Sequence, residues 1–316
     1  MHHSKKEQLI DLWRSCFRDS EDFIRLFFER VYREEWALTI EEEGEVISVL
    51  YLIPYRMNWE GQEINVGYIC GAGTLPSRRG EGLMGRLLHD AREVMRQRQM
   101  DLAVLIPAEE RLFDYYRQYG YTEAFFYSLI QVKSNIPSPQ GLYYFHRIDE
   151  TKLGSWYPFF DRMMRRRPCC LLHGKEDFEH NYIDTLLDGG QLYGITNPLG
   201  QQMAMAFSIK REGEIYCKEL LYDNKAARDA LLSRLFQQMK LSKLLYKTPV
   251  TTVETGQRYG MAMAVNRTGL AKRWLDRHPE SELSEADLLA MELPAFTRLM
   301  LGYEQREAYM SLMLDS

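Results

Sequence analysis

A glycine-rich turn between a strand and a helix is the feature of the sequence that most directly indicates chemistry. Residues 64–74 have a strand-like pattern, and the run Ser-Arg-Arg-Gly-Glu-Gly-Leu-Met-Gly from 77 to 85 follows and opens an amphipathic helix. The first amides of a helix lack partners, the helix dipole favours an anion, and glycine lets a ligand approach the backbone. The turn is therefore predicted to hold phosphate, with Arg78 and Arg79 adding charge. It matches neither the P-loop nor the dinucleotide fingerprint.

A tyrosine-rich segment about thirty residues downstream supports this interpretation. It reads Phe-Asp-Tyr-Tyr-Arg-Gln-Tyr-Gly-Tyr over 113–121 and follows an apolar strand at 102–107. With the glycine turn before it, the chain resembles the GCN5-related N-acetyltransferases (GNAT). Their acetyl-CoA site combines a (Gln/Arg)-x-x-Gly-x-Gly/Ala turn with a later Tyr-x-x-x-Gly-Phe/Tyr segment, and Ser77 here replaces the first Gln or Arg. The Gly-Leu-Met variant and residues 106–109 are most similar to the multidomain Eis type.

The resemblance implies a role for each part of this region. Acetyl transfer to an amine requires that the CoA pyrophosphate be held, the thioester carbonyl polarised, the ammonium deprotonated and the thiolate protonated. Tyr116, the first residue of the second motif, is the implied general acid. The alternative is that Tyr115, Tyr116 and Tyr119 only pack as half-buried aromatics. The implied acetyl-CoA-binding residues are Ile69, Cys70, Gly71 and Ala72 in the strand, and Arg78, Arg79, Gly80, Glu81, Gly82, Leu83, Met84 and Gly85 in the turn.

The general base is left open by the sequence. Many acetyltransferases carry a glutamate on the strand before the turn, but residues 66–74 contain no acidic residue. Glu63 and Glu109 flank the region, although a charged residue near a turn is usually a solvated surface group. In the Eis type the C-terminal carboxylate reaches the acetylation site. Because residues 309–316 are apolar almost to the end, whereas free termini are usually polar, the Ser316 carboxylate is a further candidate.

Composition limits the classes of function. A chain of 316 residues that is 45% apolar can bury more than one core. A net charge of -5 argues against nucleic-acid binding and is compatible with cationic substrates. The five cysteines and seven histidines show no metal-ligand spacing, so we expect no metal and a reducing cytoplasm. No apolar run is long enough for a signal peptide or a membrane span, and homo-oligomerisation stays open.

The pattern of periodicity predicts an α/β protein with mixed (α+β) sheets. Two helices over 7–18 and 20–32 precede a three-stranded antiparallel meander over 37–74, with turns at Glu43-Gly44 and Glu60-Gly61. The second half repeats this order but lacks glycine at 222–225, where the phosphate turn would fall. Its predicted elements are helices over 150–165, 176–188 and 225–240, and strands over 191–196, 202–210 and 214–222. A strand over 259–265, a helix over 268–276 and a helix that Ser284 could cap follow.

These elements predict three domains and one function. The domains are an acetyltransferase domain over 1–133, a degenerate second copy over 142–248, and a short sterol-carrier-like region over 249–316. The chain is read as an acetyl-CoA-dependent N-acetyltransferase that transfers acetyl directly to a primary amine of a small molecule or peptide. The alternatives are a non-catalytic CoA-binding or interaction protein and an aminoacyl or other acyl transferase. Candidates for the acceptor pocket, by family analogy, are Phe27, Phe28, Trp36 and Tyr55.

Overall fold

The computed structural model describes residues 4–136, 141–252 and 256–314. The chain divides into two compact units, which are Met1–Phe126 with Arg258–Ala308, and Tyr127–Gln257 with Tyr309–Asp315. The predicted mixture of helices and mixed sheets is confirmed. In the described part of the chain, no helix is long and apolar enough to cross a membrane.

The helices and strands are numbered in chain order. They are α1 (Lys5–Cys16), α2 (Glu21–Leu26), β1 (Ala37–Glu42), β2 (Glu45–Trp59), β3 (Gln62–Thr74), α3 (Leu83–Gln97), β4 (Leu102–Leu105), α4 (Glu110–Arg117), β5 (Thr122–Lys133), β6 (Tyr144–Ile148), α5 (Glu150–Arg165), β7 (Cys169–Leu172), α6 (Lys175–Leu187), β8 (Gln191–Thr196), β9 (Gln202–Arg211), β10 (Glu214–Tyr222), α7 (Lys225–Met239), β11 (Lys243–Thr248), β12 (Gln257–Ala264), α8 (Arg267–Arg277), α9 (Glu285–Ala290), α10 (Leu293–Met300) and β13 (Ala308–Tyr309).

The first unit begins with the two predicted helices and the predicted meander. Ser4 and Ser20 cap α1 and α2 through their side chains, and a turn of π-helix at Phe27–Val31 extends α2. Strands β1, β2 and β3 are antiparallel. Both turns between them place a glutamate and a glycine at positive φ, as a tight hairpin turn requires. Helix α3 then leads into β4, which is parallel to β3.

Strand β12 enters the sheet of the first unit from far along the chain. It pairs antiparallel with β4, from Met261 opposite Leu105 to Ala264 opposite Leu102. The predicted strand and helices of this region are confirmed as β12, α8 and α9. Arg258–Ala308 clusters with the first unit by its contacts. The division into three domains, with a short sterol-carrier-like region over 249–316, stays a prediction.

The second unit has its own sheet, in the order β6-β8-β9-β10-β11-β5. Strands β8, β9 and β10 form an antiparallel meander, and α7 leads from β10 to the parallel strand β11. Alternate residues of the strands face two cores. One contains Leu192, Met205 and the residues of α5 and α6, and the other contains Tyr193, Ala206 and the residues of α7. The order of meander, helix and parallel strand thus occurs in both units. The sequence predicted the meander and the helix of the second unit but not the strand β11.

Asp101 connects the segment that contains β12 and α8 to the sheet of the first unit. It is buried and accepts from the Asn65 amide (3.0 Å) on β3, from the Asn266 side chain (3.0 Å) and from the Arg273 guanidinium on α8. Its main-chain carbonyl accepts from the amide of Val265 (2.9 Å). These polar contacts fix where β12 ends and α8 begins.

We predict that Asp101→Ala destabilises the first unit by about 3 kcal/mol, because it leaves the half-buried Arg273 guanidinium, the Asn65 amide and the Asn266 side chain without their acceptor. Asp22→Ala is the control, since Asp22 pairs with Arg25 on an exposed surface where such a pair contributes less than about 1 kcal/mol. Thermal and urea unfolding of both variants would measure the difference. Equal losses in the two variants would contradict the role given to Asp101.

Candidate active site

A β-bulge interrupts β3 beside the predicted thioester position. Cys70 lies opposite Tyr51 and Gly73 lies opposite Val49, so two residues of β3 face a single residue of β2. A bulge turns main-chain groups out of the ladder and is common next to active sites. The predicted pantetheine-binding residues 69–72 therefore include a break in the register of the sheet.

Gly71, inside the bulge, cannot be replaced by a larger residue without rearrangement. Its φ is +52°, which favours glycine. A Cβ atom there would lie 2.6 Å from the Trp13 ring and 2.7 Å from the Tyr51 ring. The bulge thus depends both on backbone freedom and on the absence of a side chain.

Strand β3 also extends beyond its neighbour β4. The two parallel strands pair from Val66 opposite Leu102 to Ile69 opposite Leu105, and β4 ends at Leu105. Residues 70–74 of β3 consequently have no β4 residue beside them. An extended ligand with amide groups can bind such an edge as an added strand would.

The predicted glycine turn is open at the start of α3. Gly80 (φ 87°) and Gly82 (φ 76°) both have left-handed backbones, and Gly82 is the N-cap residue of α3. A Cβ atom at either glycine would meet no atom within 4 Å. The first turn of α3 contains no acidic residue. The helix therefore presents uncapped amides and the positive end of its dipole to an accessible surface.

The two arginines of the turn have different environments. Arg78 donates to both oxygens of Glu81 (2.8 and 2.7 Å) and to Glu42 (2.8 Å). Hydrogen bonding from Arg78 also holds the pKa of Glu81 below its usual range. Arg79 is exposed, donates to the Thr74 carbonyl (3.3 Å) and makes no ion pair with the described residues. Arg78 thus braces the turn, and Arg79 is the cation available to a phosphate.

Tyr116 lies on α4 in the core of the first unit. It is 8% exposed, and its ring packs against the rings of Tyr115 and Tyr121, with centroids 5.4 and 6.0 Å away. Burial raises the pKa of Tyr116 to about 12, so the phenol keeps its proton at neutral pH. Nearby, a Cβ atom at Gly85 would lie 2.5 Å from the Tyr119 hydroxyl, which places the turn after α4 against the first turn of α3.

The two side-chain candidates for the general base are poorly suited to that role. Glu63 pairs with Arg56 at 3.6 Å and lies seven residues before Cys70, about 23 Å away along a strand. Glu109 is exposed, and a hydrogen bond from Arg111 lowers its pKa, which weakens it as a base. The third candidate, Ser316, lies outside the described residues.

An aromatic cluster packs against the bulge on the side of α1 and α2. The Trp13 ring lies 4.5 Å from the ring of Phe27, 5.7 Å from that of Phe28 and 5.6 Å from that of Tyr51. The Trp13 indole donates to Asp19 at 2.8 Å. The Tyr51 hydroxyl is buried and has no hydrogen-bond partner among the residues that the structure describes. A buried polar atom of this kind calls for an explanation, and a ligand is one.

Part of this cluster was predicted and part was missed. Of the aromatics proposed from the sequence, Phe27 and Phe28 belong to the cluster. Trp36 instead lies under Arg33, with the guanidinium 5.6 Å from its ring, and Tyr55 packs against Tyr68 with ring centroids 6.0 Å apart. Trp13 falls within the predicted helix over 7–18, but the sequence gave no sign of its contact with Gly71. The members missed as site residues are Trp13, Tyr32 and Tyr51.

Comparisons with known proteins agree with this arrangement. The family described as acetyltransferase (GNAT) domain matches residues 1–124. No curated protein sequence matches this chain significantly.

Several solved structures share the fold over most of the chain. A conserved protein of unknown function from Enterococcus faecalis, a probable N-acyltransferase, has a TM-score of 0.72 at 15% identity and covers 86% of this chain and 73% of its own. A GCN5-related N-acetyltransferase from Anabaena variabilis has a TM-score of 0.69 at 16% identity, with 86% and 74% covered. Eis1 from Mycobacterium abscessus has a TM-score of 0.64 at 13% identity, with 85% and 73% covered.

The bulge, the free edge of β3 and the open glycine turn all lie in residues 1–124, the part of the chain that matches the acetyltransferase (GNAT) domain family. Members of that family typically use an acyl-CoA donor. In the described residues, no group of three or more His, Cys, Asp or Glu side chains is placed to hold a metal ion.

The thiol of Cys70 lies at the bulge and raises the question of a covalent intermediate. Burial raises its pKa to about 12, and a thiol is a poor nucleophile while it keeps its proton. We predict that Cys70→Ala retains acyl transfer within about threefold and that no acyl-enzyme forms. Intact-mass spectrometry after mixing with acetyl-CoA alone would check this. An acetylated wild-type protein that is lost in the variant would contradict direct transfer.

Proposed function

We propose that the protein is an acetyl-CoA-dependent N-acetyltransferase that acetylates a primary amine of a small molecule or peptide directly. The observation that carries the proposal is that the free edge of β3 and the open turn before α3 are consecutive along the chain. One site could therefore bind the pantetheine amides and the other the pyrophosphate of the same CoA. The proposed contacts are Ile69, Cys70, Gly71 and Ala72, and Arg79 to Gly85, with Arg78 bracing the turn.

The reaction would involve the amine of the acceptor and three groups of the protein. The amine nitrogen attacks the thioester carbonyl carbon, and a main-chain amide of the bulge stabilises the oxygen as it gains charge. The carbon–sulfur bond then breaks, and Tyr116 donates its proton to the departing sulfur. A base must first take a proton from the ammonium, and the proposed base is the Ser316 carboxylate. The nitrogen gives up its second proton to solvent as the amide forms, the Ser316 carboxylate releases its proton to solvent, and Tyr116 regains its proton from solvent, so one proton is released for each acetyl group transferred.

The acceptor is proposed to approach from the aromatic cluster. Trp13, Phe28 and Tyr32 offer ring faces that attract a cation, and Asp19 and the net charge of -5 favour one as well. The Tyr51 hydroxyl is a suitable hydrogen-bond partner for the amine. These features favour an amine attached to an apolar or aromatic group.

The second unit is proposed to be a degenerate copy of the acetyltransferase domain that binds no CoA. Helix α7 stands where α3 stands in the first unit, but its N-cap residue is Asn224, whose side chain accepts from the Ala227 amide at 2.9 Å. The start of α7 is therefore capped by the protein itself. The segment before α7 contains no glycine that would let a phosphate approach.

We predict that Gly82→Val weakens CoA binding at least about tenfold, because a branched side chain at the N-cap blocks access to the first amides of α3. Gly213→Val is the matched control, since Gly213 has the same φ of 76° and equally open surroundings in the β9–β10 turn. The two variants should lose similar stability. Calorimetry would measure the affinity and the stoichiometry, which we expect to be one CoA per chain.

Two results of that titration would count against the proposal. If Gly82→Val bound CoA as tightly as Gly213→Val, the turn would not be the pyrophosphate site. A stoichiometry of two would contradict the degenerate second unit.

We predict that Tyr116→Phe keeps CoA affinity and lowers kcat about a hundredfold, the usual scale for a general acid. Because the pKa of Tyr116 is raised to about 12, the phenol remains a proton donor throughout the neutral and mildly basic range. The wild-type rate should therefore rise with pH as the amine is deprotonated, without a fall below about pH 11. Tyr115→Phe, the same change one residue away, is the control and should retain kcat. Equal rates for the two variants would remove Tyr116 from the mechanism.

A further inference from the structure

Three hydrogen-bond donors of the first unit are buried without a partner among the residues that the structure describes. They are the Nε–H group of Arg92 on α3, the Nε–H group of Arg267 at the start of α8, and the hydroxyl of Tyr121, which precedes β5. Tyr121 is only 2% exposed. A buried polar group that makes no hydrogen bond costs free energy, so three of them in one region call for an explanation.

The three donors belong to segments that pack together. Tyr121 and Val265 share one buried apolar cluster with residues of α3 on either side of Arg92, and Arg267 follows Val265 by two positions. Burial lowers the pKa of Arg92, and the charges of Arg96 and Arg267 lower it further. Burial raises the pKa of Tyr121, and the charge of Arg92 opposes that rise. Arg92 therefore interacts with both Arg267 and Tyr121.

The two arginines carry positive charge that no acid neutralises within the described ranges. Only positive groups and Tyr121 act on the charge of Arg92, and the hydrogen bonds of Arg267 go to main-chain carbonyls. Asp101 binds the side chain of the neighbouring Asn266, but it is already paired with Arg273. Two like charges that are partly shielded from water repel each other, and an anion between them would remove that repulsion.

The contacts of Arg267 indicate the size of such an anion. Its Nη2 atom donates to three carbonyls near the end of α9, those of Leu288 (3.3 Å), Leu289 (2.9 Å) and Met291 (2.7 Å). A carboxylate or a phosphate is bound best by two parallel hydrogen bonds from one guanidinium. Because Nη2 is already used, Arg267 has only its Nε–H group to offer on that side. An anion of a single atom can accept one hydrogen bond from each of three separate donors.

We propose that Arg92, Tyr121 and Arg267 form a binding site for chloride in the first unit. Chloride accepts the Nε–H groups of both arginines and the hydroxyl of Tyr121, which keeps its proton at neutral pH. Its charge offsets the repulsion between the two guanidinium groups, so that it stabilises the contact of α3 with the start of α8. None of the three residues has a role in the proposed function, and the site is therefore tested separately from it.

The test measures chloride binding from the width of the chloride NMR signal, which broadens when the ion exchanges with a protein site. The wild-type protein should broaden the signal, and bromide should reverse the broadening. Arg92→Gln should weaken chloride binding about tenfold to a hundredfold, the loss expected for a hydrogen bond between charged groups. Tyr121→Phe removes only the hydroxyl oxygen and should weaken binding about tenfold.

Two control variants remove one positive charge elsewhere. Arg98→Gln changes the exposed C-cap residue of α3, which donates to the Glu35 carbonyl at 2.7 Å. Arg79→Gln changes the open turn before α3, where a helix start also attracts anions. Both controls should bind chloride as the wild-type protein does.

Thermal unfolding gives a second measurement. A ligand that binds only the folded chain stabilises it. When chloride replaces gluconate at constant ionic strength, the unfolding midpoint of the wild-type protein and of Arg98→Gln should rise. The midpoints of Arg92→Gln and Tyr121→Phe should rise less.

Several results would overturn the proposed site. A wild-type protein that binds no chloride would do so, and so would equal binding by Arg98→Gln and Tyr121→Phe, which decides the matter even if Arg92→Gln does not fold. Binding that only Arg79→Gln abolishes would place the anion at the open turn instead. Displacement of chloride by acetate or phosphate as readily as by bromide would contradict the assignment to an anion of a single atom.

Discussion

The structure of the first unit depends on strand β3. Its first half is hydrogen-bonded to β2 on one side and to β4 on the other, and β4 does not continue beside its second half. Val66 to Ile69 of β3 lie between β2 and β4, but β4 stops after four residues. Pro107 follows closely and cannot donate to a ladder. An exposed strand edge is normally a liability that proteins cover or shorten. Its retention next to a bulge makes sense if a ligand with amide groups completes the sheet.

The second unit shares the topology of the first, but the two helices start differently. Both units place a helix between a meander and a parallel strand. At α3 the N-cap residue is Gly82, which offers no side chain, whereas at α7 Asn224 fills the equivalent position with its own oxygen. One residue thus decides whether the start of the helix is open or is capped by a side chain of the protein. Fold alone therefore does not predict binding.

The sequence predicted features that are local along the chain and missed those that join distant segments. The meander, α3, and most elements of the second half are encoded by turns and periodicity within about fifteen residues, so they could be located closely. The return of β12 to pair with β4 could not, because an apolar strand at 257–264 fits any open sheet edge. The contact of Trp13 with Gly71 joins residues 58 positions apart, and only packing reveals it. The ion pair of Arg78 with Glu42 and Glu81 likewise changed the expected role of that arginine.

In each unit a buried carboxylate binds a chain segment that lies far from it in sequence. Asp101 accepts a hydrogen bond from Asn266, 165 residues away, and Glu219 accepts one from Ser311, 92 residues away. Apolar contacts are not directional, so they would bring such segments back without fixing their register. A carboxylate accepts hydrogen bonds in only a few directions, and burying it without a partner costs free energy. It therefore selects one arrangement of the chain. Where the position of a chain segment matters for chemistry, that selectivity is worth more than the stability an apolar pair would add.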